Sequence, residues 1–460
     1  MKKSRFQGKG QLLFWMKVLI LVIQTLLFAA LWYGYYMSRM PQQYYERGNW
    51  AVIGLYFLFL LILNKAFGGL KVGYLKTWDI MYNQVFTVLA TNAMMYLVIV
   101  LLNGRWAMFR GNVPIFEQVG PMILLSLGDI LIFFAWAVWA RRMYAVIFPP
   151  HEMLLVYGDI DPRGLIRKLV KRKDRYDIRA VISLEKGTDR ICEEMLKYQA
   201  VMIGDLPSHE RNLLIKFGYE HDIRCYGVPK LSDIMIRSAD NIELFDTPLL
   251  LYQYGGLTMR QRVVKRAVDI ICSLILLIPF SVVMLVIAIA IQRYDHGPVF
   301  YKQKRLTEGG REFDILKFRS MIVESERTGA RLASADDDRI TPVGKVIRRL
   351  HFDELPQLIN ILKGDMSIVG PRPERRDIAD VYKEEIPEFD FRLKVKAGLT
   401  GYAQVYGQYN TSPYDKLKLD LTYIENYSLW MDIKLMFLTG KILFAKEKSE
   451  GVDKSKRTAL

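Results

Sequence analysis

The sequence predicts a membrane protein with an α-helical transmembrane bundle, a small Rossmann-like α/β domain, and a mainly α-helical C-terminal domain with a re-entrant membrane helix. Two observations support this fold class. Of all residues, 51% are hydrophobic and 12% are aromatic, more than a soluble enzyme usually carries. The apolar residues also form long runs, four before residue 150 and one near residue 280. Because 460 residues exceed what one core usually holds, several domains are expected.

Four apolar runs within residues 1–148 predict transmembrane helices. They cover residues 12–37, 50–63, 80–102 and 121–139. Three of them have about the 20 residues that a helix needs to cross the hydrocarbon core, and the second reaches this length with its flanks. Lys and Arg concentrate before the first run, between the second and third, and after the fourth. The positive-inside rule therefore places both ends of this region, and the chain that follows, in the cytoplasm.

Residues 149–257 have a different pattern. Short apolar runs alternate with polar helical stretches, which is typical of βαβ units and a small parallel sheet. The first run is followed by Tyr157, Gly158 and Asp159 and not by the GxGxxG turn that approaches a pyrophosphate. We therefore expect a structural or regulatory domain and not a dinucleotide site.

A fifth apolar run, at about 267–291, predicts the re-entrant helix. Lys265 and Arg266 precede it and Arg293 follows it, so flanking charge favours neither orientation. Pro279 near its middle removes a helical hydrogen bond. A full crossing would place the hydrophilic C-terminal part outside the cell, away from nucleotides. We expect a helix that is broken at Pro279 and enters and leaves by the same face; a simple span is the alternative.

Charge and cysteine content limit the partners. The net charge of +16 suits a lipid surface, a phosphorylated substrate or a nucleic acid. No zinc-finger, helix-turn-helix or RNA-binding signature is present, so no nucleic-acid partner is predicted. Cys192, Cys225 and Cys272 are too widely spaced to suggest a zinc pair or a disulfide framework.

The adjacent acids Asp353 and Glu354 are the most informative feature of the C-terminal third. Pro356 suits the first turn of a helix that runs to Lys363 and stops at Gly364. The acids would lie at the positive end of this helix, where anions are stabilised. In one interpretation, Asp353 only caps the helix. In the other, one carboxylate attacks phosphorus and the other binds Mg²⁺.

Basic residues are dense around this acid pair. Arg372 is the strongest phosphate-binding candidate, because Pro371 and Pro373 hold its backbone extended and a guanidinium can contact phosphate with two N–H groups. Taken singly, each of the other cations suits a solvated surface charge better than a phosphate ligand. The further phosphate-binding candidates are Arg348, Lys317 and Arg319.

Five blocks of sequence resemble, in the same order, the bacterial sugar transferase family. The blocks are residues 297–305, 317–321, 338–344, 353–357 and 364–373. The family comprises monotopic polyprenyl-phosphate hexose-1-phosphate transferases that begin exopolysaccharide, capsule and O-antigen synthesis. The resemblance covers about residues 258–443, within a predicted catalytic domain at 258–445. The four spans and the Rossmann-like domain resemble the large subgroup of the family.

The resemblance implies a reaction. A hexose-1-phosphate passes from a UDP-hexose to undecaprenyl phosphate, and UMP is released. It implies that Asp353 is the nucleophile that forms a covalent phosphosugar intermediate and that Glu354 helps to bind Mg²⁺. It also implies a location in the bacterial cytoplasmic membrane, with the catalytic domain in the cytoplasm. The family's re-entrant helix breaks at a proline that matches Pro279, and its charged start matches Lys265, Arg266 and Asp269.

Three further residues are predicted to contact substrate. Gln404 is expected near the nucleotide, although Ala397 replaces a proline that is common in that block of the family. Asp420 and Tyr423 lie one helical turn apart, which suits a wall of the site or an ordinary polar helix face. The stretch at 429–444 is too charged to span and suits a helix in the membrane interface.

Several alternatives remain at this stage. A catalytically silent membrane scaffold or regulator of polysaccharide assembly is one, and a glycosyltransferase that releases UDP is another. The tail at 446–460 is expected to be disordered. The oligomeric state is left open, with a homodimer as one arrangement, and the sequence does not identify the hexose.

Overall fold

The structure is a computed structural model that describes residues 2–39, 46–75, 77–102, 119–252, 255–322, 339–407 and 411–443. The predicted disordered tail lies outside the described residues, as does Asp338 in the third sequence block. Contacts divide the chain into two compact units, Met1–Val228 and Pro229–Leu460.

The first unit begins with four long helices. They are α1 (Lys2–Leu31), α2 (Glu46–Phe67), α3 (Thr77–Leu102) and α4 (Val119–Ile147). All four are long and apolar enough to cross a membrane, which confirms the four predicted spans as helices of that kind. Phe28 of α1 stacks on Tyr56 of α2, with ring centroids 4.2 Å apart, inside an apolar cluster that α3 and α4 complete.

The α/β part of the first unit follows. Its elements are β1 (His151–Tyr157), α5 (Arg163–Val170), β2 (Tyr176–Ser183), α6 (Thr188–Met195), β3 (Ala200–Ile203), α7 (Ser208–Glu220) and β4 (Arg224–Gly227). The strands form a parallel sheet in the order β2-β1-β3-β4, as the alternating pattern predicts. A Cβ at Gly158 would lie 2.7 Å from the Asp205 carbonyl oxygen, so the turn after β1 packs closely on its own chain.

The second unit contains the remaining elements. They are α8 (Leu231–Arg237), β5 (Asp240–Leu244), β6 (Thr247–Leu251), α9 (Met259–Asp295), β7 (Phe300–Leu306), β8 (Glu312–Phe318), α10 (Pro342–Arg349), α11 (Gln357–Lys363), β9 (Ser367–Val369), α12 (Arg376–Glu385), β10 (Gly398–Thr400), α13 (Tyr402–Tyr406), α14 (Pro413–Glu425) and α15 (Leu429–Leu443). β5–β6 and β7–β8 are antiparallel hairpins, and β9–β10 is a parallel pair.

The position of α8 differs from the predicted middle domain at 149–257. Leu231 and Ile234 of α8 are buried in the core that α11, α14 and α15 share. Ser238, just after α8, donates a hydrogen bond to Glu425 Oε2 at 3.0 Å. Residues 229–257 therefore belong, by their contacts, to the second unit.

Helix α9 is the fifth helix with the length and composition of a membrane span. It is one uninterrupted α-helix of 37 residues that passes through Pro279. The helix therefore has no gap at Pro279, where a break was predicted. The loss of one hydrogen bond does not end a helix whose other turns remain bonded. The way in which α9 lies in the membrane stays a prediction.

Candidate active site

The acid pair lies in a turn between α10 and α11. His351 adopts a left-handed conformation with φ of 56°, which ends α10, and residues 352–354 form a single 3₁₀ turn. Helix α11 starts after Pro356 and ends at Gly364, where φ is +92°. The start and end of this helix thus match the sequence prediction.

Helix α11 is fixed to the β7–β8 hairpin by one amide. The Asn360 side chain accepts a hydrogen bond from Leu316 N at 2.9 Å and donates one to Asp314 O at 2.8 Å. Asn360 is buried, with 2% of its surface exposed. The turn that carries the acids is therefore held against strand β8.

Glu354 is held by two cations. Its Oε1 accepts hydrogen bonds from Lys317 Nζ at 2.7 Å and from Arg372 Nη2 at 3.0 Å. Burial by itself would raise the pKa of Glu354, but Arg372 and Lys317 outweigh burial and hold that pKa well below its ordinary range. Glu354 is therefore a permanent anion, and it fixes the position of both cations.

Asp353 differs from its neighbour. Its carboxylate makes no hydrogen bond to any described residue, so it does not cap α11 there. Burial raises the pKa of Asp353 and the Glu354 charge raises it further, while Lys317, Arg348 and His351 oppose this shift. The two adjacent acids thus have pKa values that are moved in opposite directions, which is typical of groups with separate chemical tasks.

Arg372 combines a fixed backbone with an accessible guanidinium. Its side chain is 49% exposed although Nη2 contacts Glu354. The Glu354 charge raises the pKa of Arg372 further above its ordinary value. The Arg372 carbonyl accepts a hydrogen bond from Arg392 Nη2 at 2.9 Å. Arg372 is therefore anchored at both ends and retains N–H groups that face the surroundings.

Arg392 is buried beside the backbone of Arg372, with 6% of its side chain exposed. Its Nη2 lies 2.9 Å from Asp420 Oδ2, and its Nη1 lies 3.7 Å from Glu374 Oε1. Burial raises the pKa of Asp420 to about 6, against the opposing charge of Arg392. Asp420 was predicted to contact substrate, but its side chain is 2% exposed and meets Arg392. We revise its role to that of a positioning residue.

A cleft of about 260 Å³, open to solvent, borders Lys317, Glu354 and Arg372, while Asp353 is not among the residues that line it. Its lining includes Arg305, Lys317, Glu354, Gln357 and Arg372, together with Gly398 and Leu399 from β10. Arg305 donates a hydrogen bond to the Pro373 carbonyl at 3.3 Å. The cleft is therefore strongly basic around one carboxylate, as an anionic substrate requires.

The other predicted phosphate ligands occupy different positions. Lys317 reaches the site and contacts Glu354, and Arg348 at the end of α10 lies close enough to influence Asp353. Arg319 does not reach the cleft, because it is 7% exposed and pairs with Asp295 at the end of α9. The prediction for Arg319 was wrong in this respect: its charge fixes the end of α9.

Gln404 supports one wall of the cleft, whereas Tyr423 lies in the interior of the unit. The Gln404 side-chain amide donates a hydrogen bond at 3.1 Å to the carbonyl of Leu399, which lines the cleft. Tyr423 is buried, and its hydroxyl donates a hydrogen bond to Asp432 Oδ1 at 2.7 Å. Tyr423 therefore packs inside the unit, in contrast to the predicted substrate contact, and the role of Gln404 at the nucleotide stays a prediction.

The charged residues at the start of α9 all bind to other elements of the second unit. Lys265 Nζ lies 2.6 Å from Asp432 Oδ2, in a pair that is almost fully buried. Arg266 donates hydrogen bonds to the carbonyls of Ile361 and Leu362 at the end of α11, at 2.5 and 2.7 Å.

Asp269 completes this set. Its Oδ1 accepts hydrogen bonds from the hydroxyl of Ser367 and from the backbone N–H of Ile368, both at 3.0 Å. These contacts connect α9 to β9, which lies directly before the Arg372 loop. The membrane helix and the site are thus parts of one folded structure.

Sequence reasoning missed Arg392, Asn360 and the buried role of Asp432. Each makes its decisive contact with a residue far away in the chain. An arginine after an apolar aromatic pair, as at Phe389 and Phe391, carries no local signal of a buried ion pair. These contacts can be recognised only in the folded chain.

Comparison with known proteins gives consistent matches. The model of a family described as bacterial sugar transferase matches residues 260–446. A UDP-N-acetylgalactosamine-undecaprenyl-phosphate N-acetylgalactosaminephosphotransferase of Aeromonas hydrophila is 32% identical over 409 residues, which cover 86% of this chain and 89% of that protein.

Two further relatives match mainly the C-terminal part of the chain. The UDP-glucose:undecaprenyl-phosphate glucose-1-phosphate transferase of Escherichia coli (strain K12) is 40% identical over 43% of this chain and 42% of that protein. The protein of the same description from Klebsiella pneumoniae is 36% identical over 55% of this chain and 54% of that protein. The match with each of these two spans about half of the relative's length.

Proposed function

The chain belongs to the bacterial sugar transferase family, and from this premise we propose that it is a phosphoglycosyl transferase that moves hexose-1-phosphate from a UDP-hexose to undecaprenyl phosphate and releases UMP. Its relatives are undecaprenyl-phosphate sugar phosphotransferases by name. The transfer would be the first membrane step in the synthesis of an exopolysaccharide, a capsule or an O-antigen.

The observation that carries the mechanism is the difference between the two acids. Glu354 is bonded to Lys317 and Arg372, whereas Asp353 has no hydrogen-bond partner among the described residues. A carboxylate that attacks phosphorus must have a free oxygen. Both oxygens of Asp353 meet this requirement, whereas Glu354 is held through Oε1 by two cations and has only Oε2 available. We therefore assign Asp353 as the nucleophile, in agreement with the family resemblance.

The proposed reaction has two displacements at phosphorus. In the first, an Asp353 oxygen forms a bond to the phosphorus that carries the sugar, and the bond from that phosphorus to the oxygen of the departing UMP breaks. In the second, a phosphate oxygen of undecaprenyl phosphate attacks the same phosphorus and the bond to Asp353 breaks. Arg372, with its half-exposed guanidinium, is suited to bind the phosphate oxygens as charge moves between them.

Mg²⁺ fits this donor set. All hydrogen bonds to Glu354 go to Oε1, so Oε2 and the Asp353 carboxylate remain for a cation. No group of three or more His, Cys, Asp or Glu side chains within the described ranges is arranged for a metal. This suits Mg²⁺, which usually takes one or two carboxylates and completes its shell with phosphate oxygens and water. When bound, the ion would neutralise charge on the diphosphate.

Release of nucleotide tests the proposed function. The full-length protein in membranes, with undecaprenyl phosphate, is incubated with UDP-glucose, UDP-galactose and their N-acetylated forms. Acceptor-dependent UMP is expected from at least one donor, because its relatives use different sugars. Release of UDP would establish a glycosyltransferase, and inactivity with every donor would favour a silent scaffold.

We expect Glu354→Gln to lower kcat/KM by about 10²- to 10³-fold, the usual effect of removing one preorganised charge contact from a site. The amide keeps the shape of Glu354 but leaves Lys317 and Arg372 without their common anion. The Mg²⁺ concentration for half-maximal rate should also rise. Glu312→Gln, at a more exposed ion pair with Arg376, is the matched control. An unchanged Mg²⁺ titration in Glu354→Gln would remove Glu354 from the metal site.

The five apolar helices make the chain a membrane protein, and we place it in the cytoplasmic membrane with α9 re-entrant. Arg266, near the start of α9, contacts the end of α11, while Ile291, near its end, packs against Phe318 of β8. Asn360 joins α11 to β8. Both ends of α9 therefore contact the same group of elements, which contains α11 and β8. Full crossing would require this group to extend through the bilayer.

We expect cysteines at Met259 and Tyr294 to react with a membrane-impermeant thiol reagent from the same, cytoplasmic side. Both side chains are exposed, and they lie near opposite ends of α9. The background would lack Cys192, Cys225 and Cys272, which are all partly buried. A cysteine at Asn112, in a predicted external loop outside the described residues, reports the opposite side. Labelling of the two α9 positions from different sides would establish a simple span.

A further inference from the structure

The four-helix bundle of the first unit has a polar interior. A polar side chain at membrane depth is costly and usually marks a functional site. Among the side chains of α1 to α4 that the structure describes, ten polar ones are buried, with at most 8% of their surface exposed: Gln24, Asn49, Asn64, Asn83, Gln84, Thr87, Thr91, Asn92, Ser126 and Asp129.

Asp129 is the only acidic residue in this set, and it is fully buried. The Tyr56 hydroxyl donates a hydrogen bond to its Oδ2 at 3.1 Å. The Asn92 side-chain amide lies beside the same carboxyl group as a second donor. Asp129 Oδ1 is buried and has no hydrogen-bond partner in the described part of the chain.

The neighbours of Asp129 suit an ionised carboxylate. Tyr56 and the Asn92 Nδ2 group present donors to it, and an ionised carboxylate accepts such bonds with either oxygen. Ser126 Oγ is also occupied, since it donates to Met122 O and accepts from Asn92 Nδ2, both at 2.8 Å. Hydrogen bonds to the charged form of an acid favour that form.

A negative charge at this depth requires a positive partner. Among the described residues of the four helices, no Lys, Arg or His is buried. The partner of an ionised Asp129 would therefore come from solution. One carboxylate supplies a single negative charge, so a monovalent cation gives a neutral site, whereas a divalent ion would leave positive charge inside the membrane.

We propose that Asp129 and Asn92 form a binding site for a small monovalent metal cation, of which Na⁺ is the representative. Two buried oxygens, Asp129 Oδ1 and Asn92 Oδ1, lack hydrogen bonds within the described ranges. Carboxylate and amide oxygens are the ligands that hard cations prefer. Neither residue belongs to the catalytic unit, so the site is separate from sugar-phosphate transfer.

A second group of buried polar side chains lies in the same bundle. Asn64 Oδ1 and Gln84 Oε1 both point to the space beside Gly69, where a Cβ would lie 2.7 and 2.4 Å from them. Both oxygens are buried without hydrogen bonds to described residues, so the close approach of the Gly69 backbone is lined by polar atoms.

This second group lies closer to the predicted cytoplasmic end of the bundle. Asn64 follows Tyr56 by eight positions on α2, roughly 12 Å along the helix. Thr87 and Thr91 of α3 are buried between Gln84 and Asn92 and continue the polar face. These side chains form one polar face that leads from the Asp129 group toward that end of the bundle.

Sodium dependence of the full-length protein in lipid nanodiscs tests the proposal. We expect saturable binding of ²²Na⁺ and a thermal unfolding midpoint that rises with NaCl but not with choline chloride at equal ionic strength. Asp129→Asn should lose both effects. In choline chloride its midpoint should equal or exceed that of the wild type, because the uncompensated charge is gone. Asp353→Asn, the same change in the other unit, should keep both effects.

A second variant covers the case in which Asp129→Asn does not fold. Asn92→Ala keeps the carboxylate but removes one oxygen ligand, so it should need at least about tenfold more Na⁺ for the same shift. The proposal is overturned if NaCl and choline chloride act equally on the wild type, if the Na⁺ effect persists in Asp129→Asn, or if Asn92→Ala needs no more Na⁺. A midpoint that responds to pH but not to Na⁺ would show instead that Asp129 is a buried neutral acid.

Discussion

Replacing Asp353 with Asn is expected to lower the rate of sugar-phosphate transfer by about 10⁴-fold or more, the size of loss seen when a covalent nucleophile is removed. The amide has the shape of the carboxylate but cannot form the phosphosugar intermediate. Exchange of labelled UMP into the UDP-sugar, measured without the lipid acceptor, should vanish as well. Exchange isolates the first displacement, so it reports the nucleophile directly.

Two comparisons separate chemistry from folding in this experiment. Asp377→Asn changes an exposed carboxylate that pairs with Arg375, and it should retain both transfer and exchange. Wild-type protein that is trapped with UDP-sugar should carry the phosphosugar on the peptide that contains Asp353. If Asp353→Asn still exchanged UMP, another residue would have to be the nucleophile.

Replacing Arg392 with Met is expected to destabilise the second unit by about 3–5 kcal/mol, because Asp420 would lose its partner in a buried ion pair. The Arg372 carbonyl would also lose its hydrogen bond from Arg392. A shift of about 1 Å in a group that positions substrate lowers rates on the order of 10²-fold. Chemical denaturation and kcat/KM measure the two effects separately.

A double variant distinguishes stability from positioning. Arg392→Met with Asp420→Leu removes both buried charges, so much of the lost stability should return. The activity should stay low, because nothing replaces the donor to the Arg372 carbonyl. Arg376→Met, at an exposed arginine, is the control and should change neither property appreciably. Recovery of full activity in the double variant would show that Arg392 serves stability alone.

Local features of the structure could be predicted from the sequence. The start of α11 after Pro356 and its end at Gly364 depend on the backbone preferences of single residues. The apolar runs of α1 to α4 and the alternation in the α/β part depend on short-range periodicity. Such properties depend on residues that are close together in the sequence, so these elements could be predicted from it.

Pairing between distant residues could not be predicted. Arg319 and Arg372 are both arginines near apolar residues, yet one is buried against Asp295 and the other reaches the cleft. Lys265 and Asp432 are 167 positions apart and still form one buried pair. Residue type gives the charge of a side chain, while its partner depends on how the helices pack.

The arrangement of α9 has a practical consequence for work on isolated fragments. Removing this helix to obtain a water-soluble catalytic piece would leave Asp432 as a lone charge in the core, and it would uncover the carbonyls at the end of α11 and the N–H of Ile368. Each of these groups would then need water as a partner in a region that is now buried. Solubility obtained in this way would be accompanied by disorder around Asp353, so low activity of such a fragment would say little about the intact enzyme.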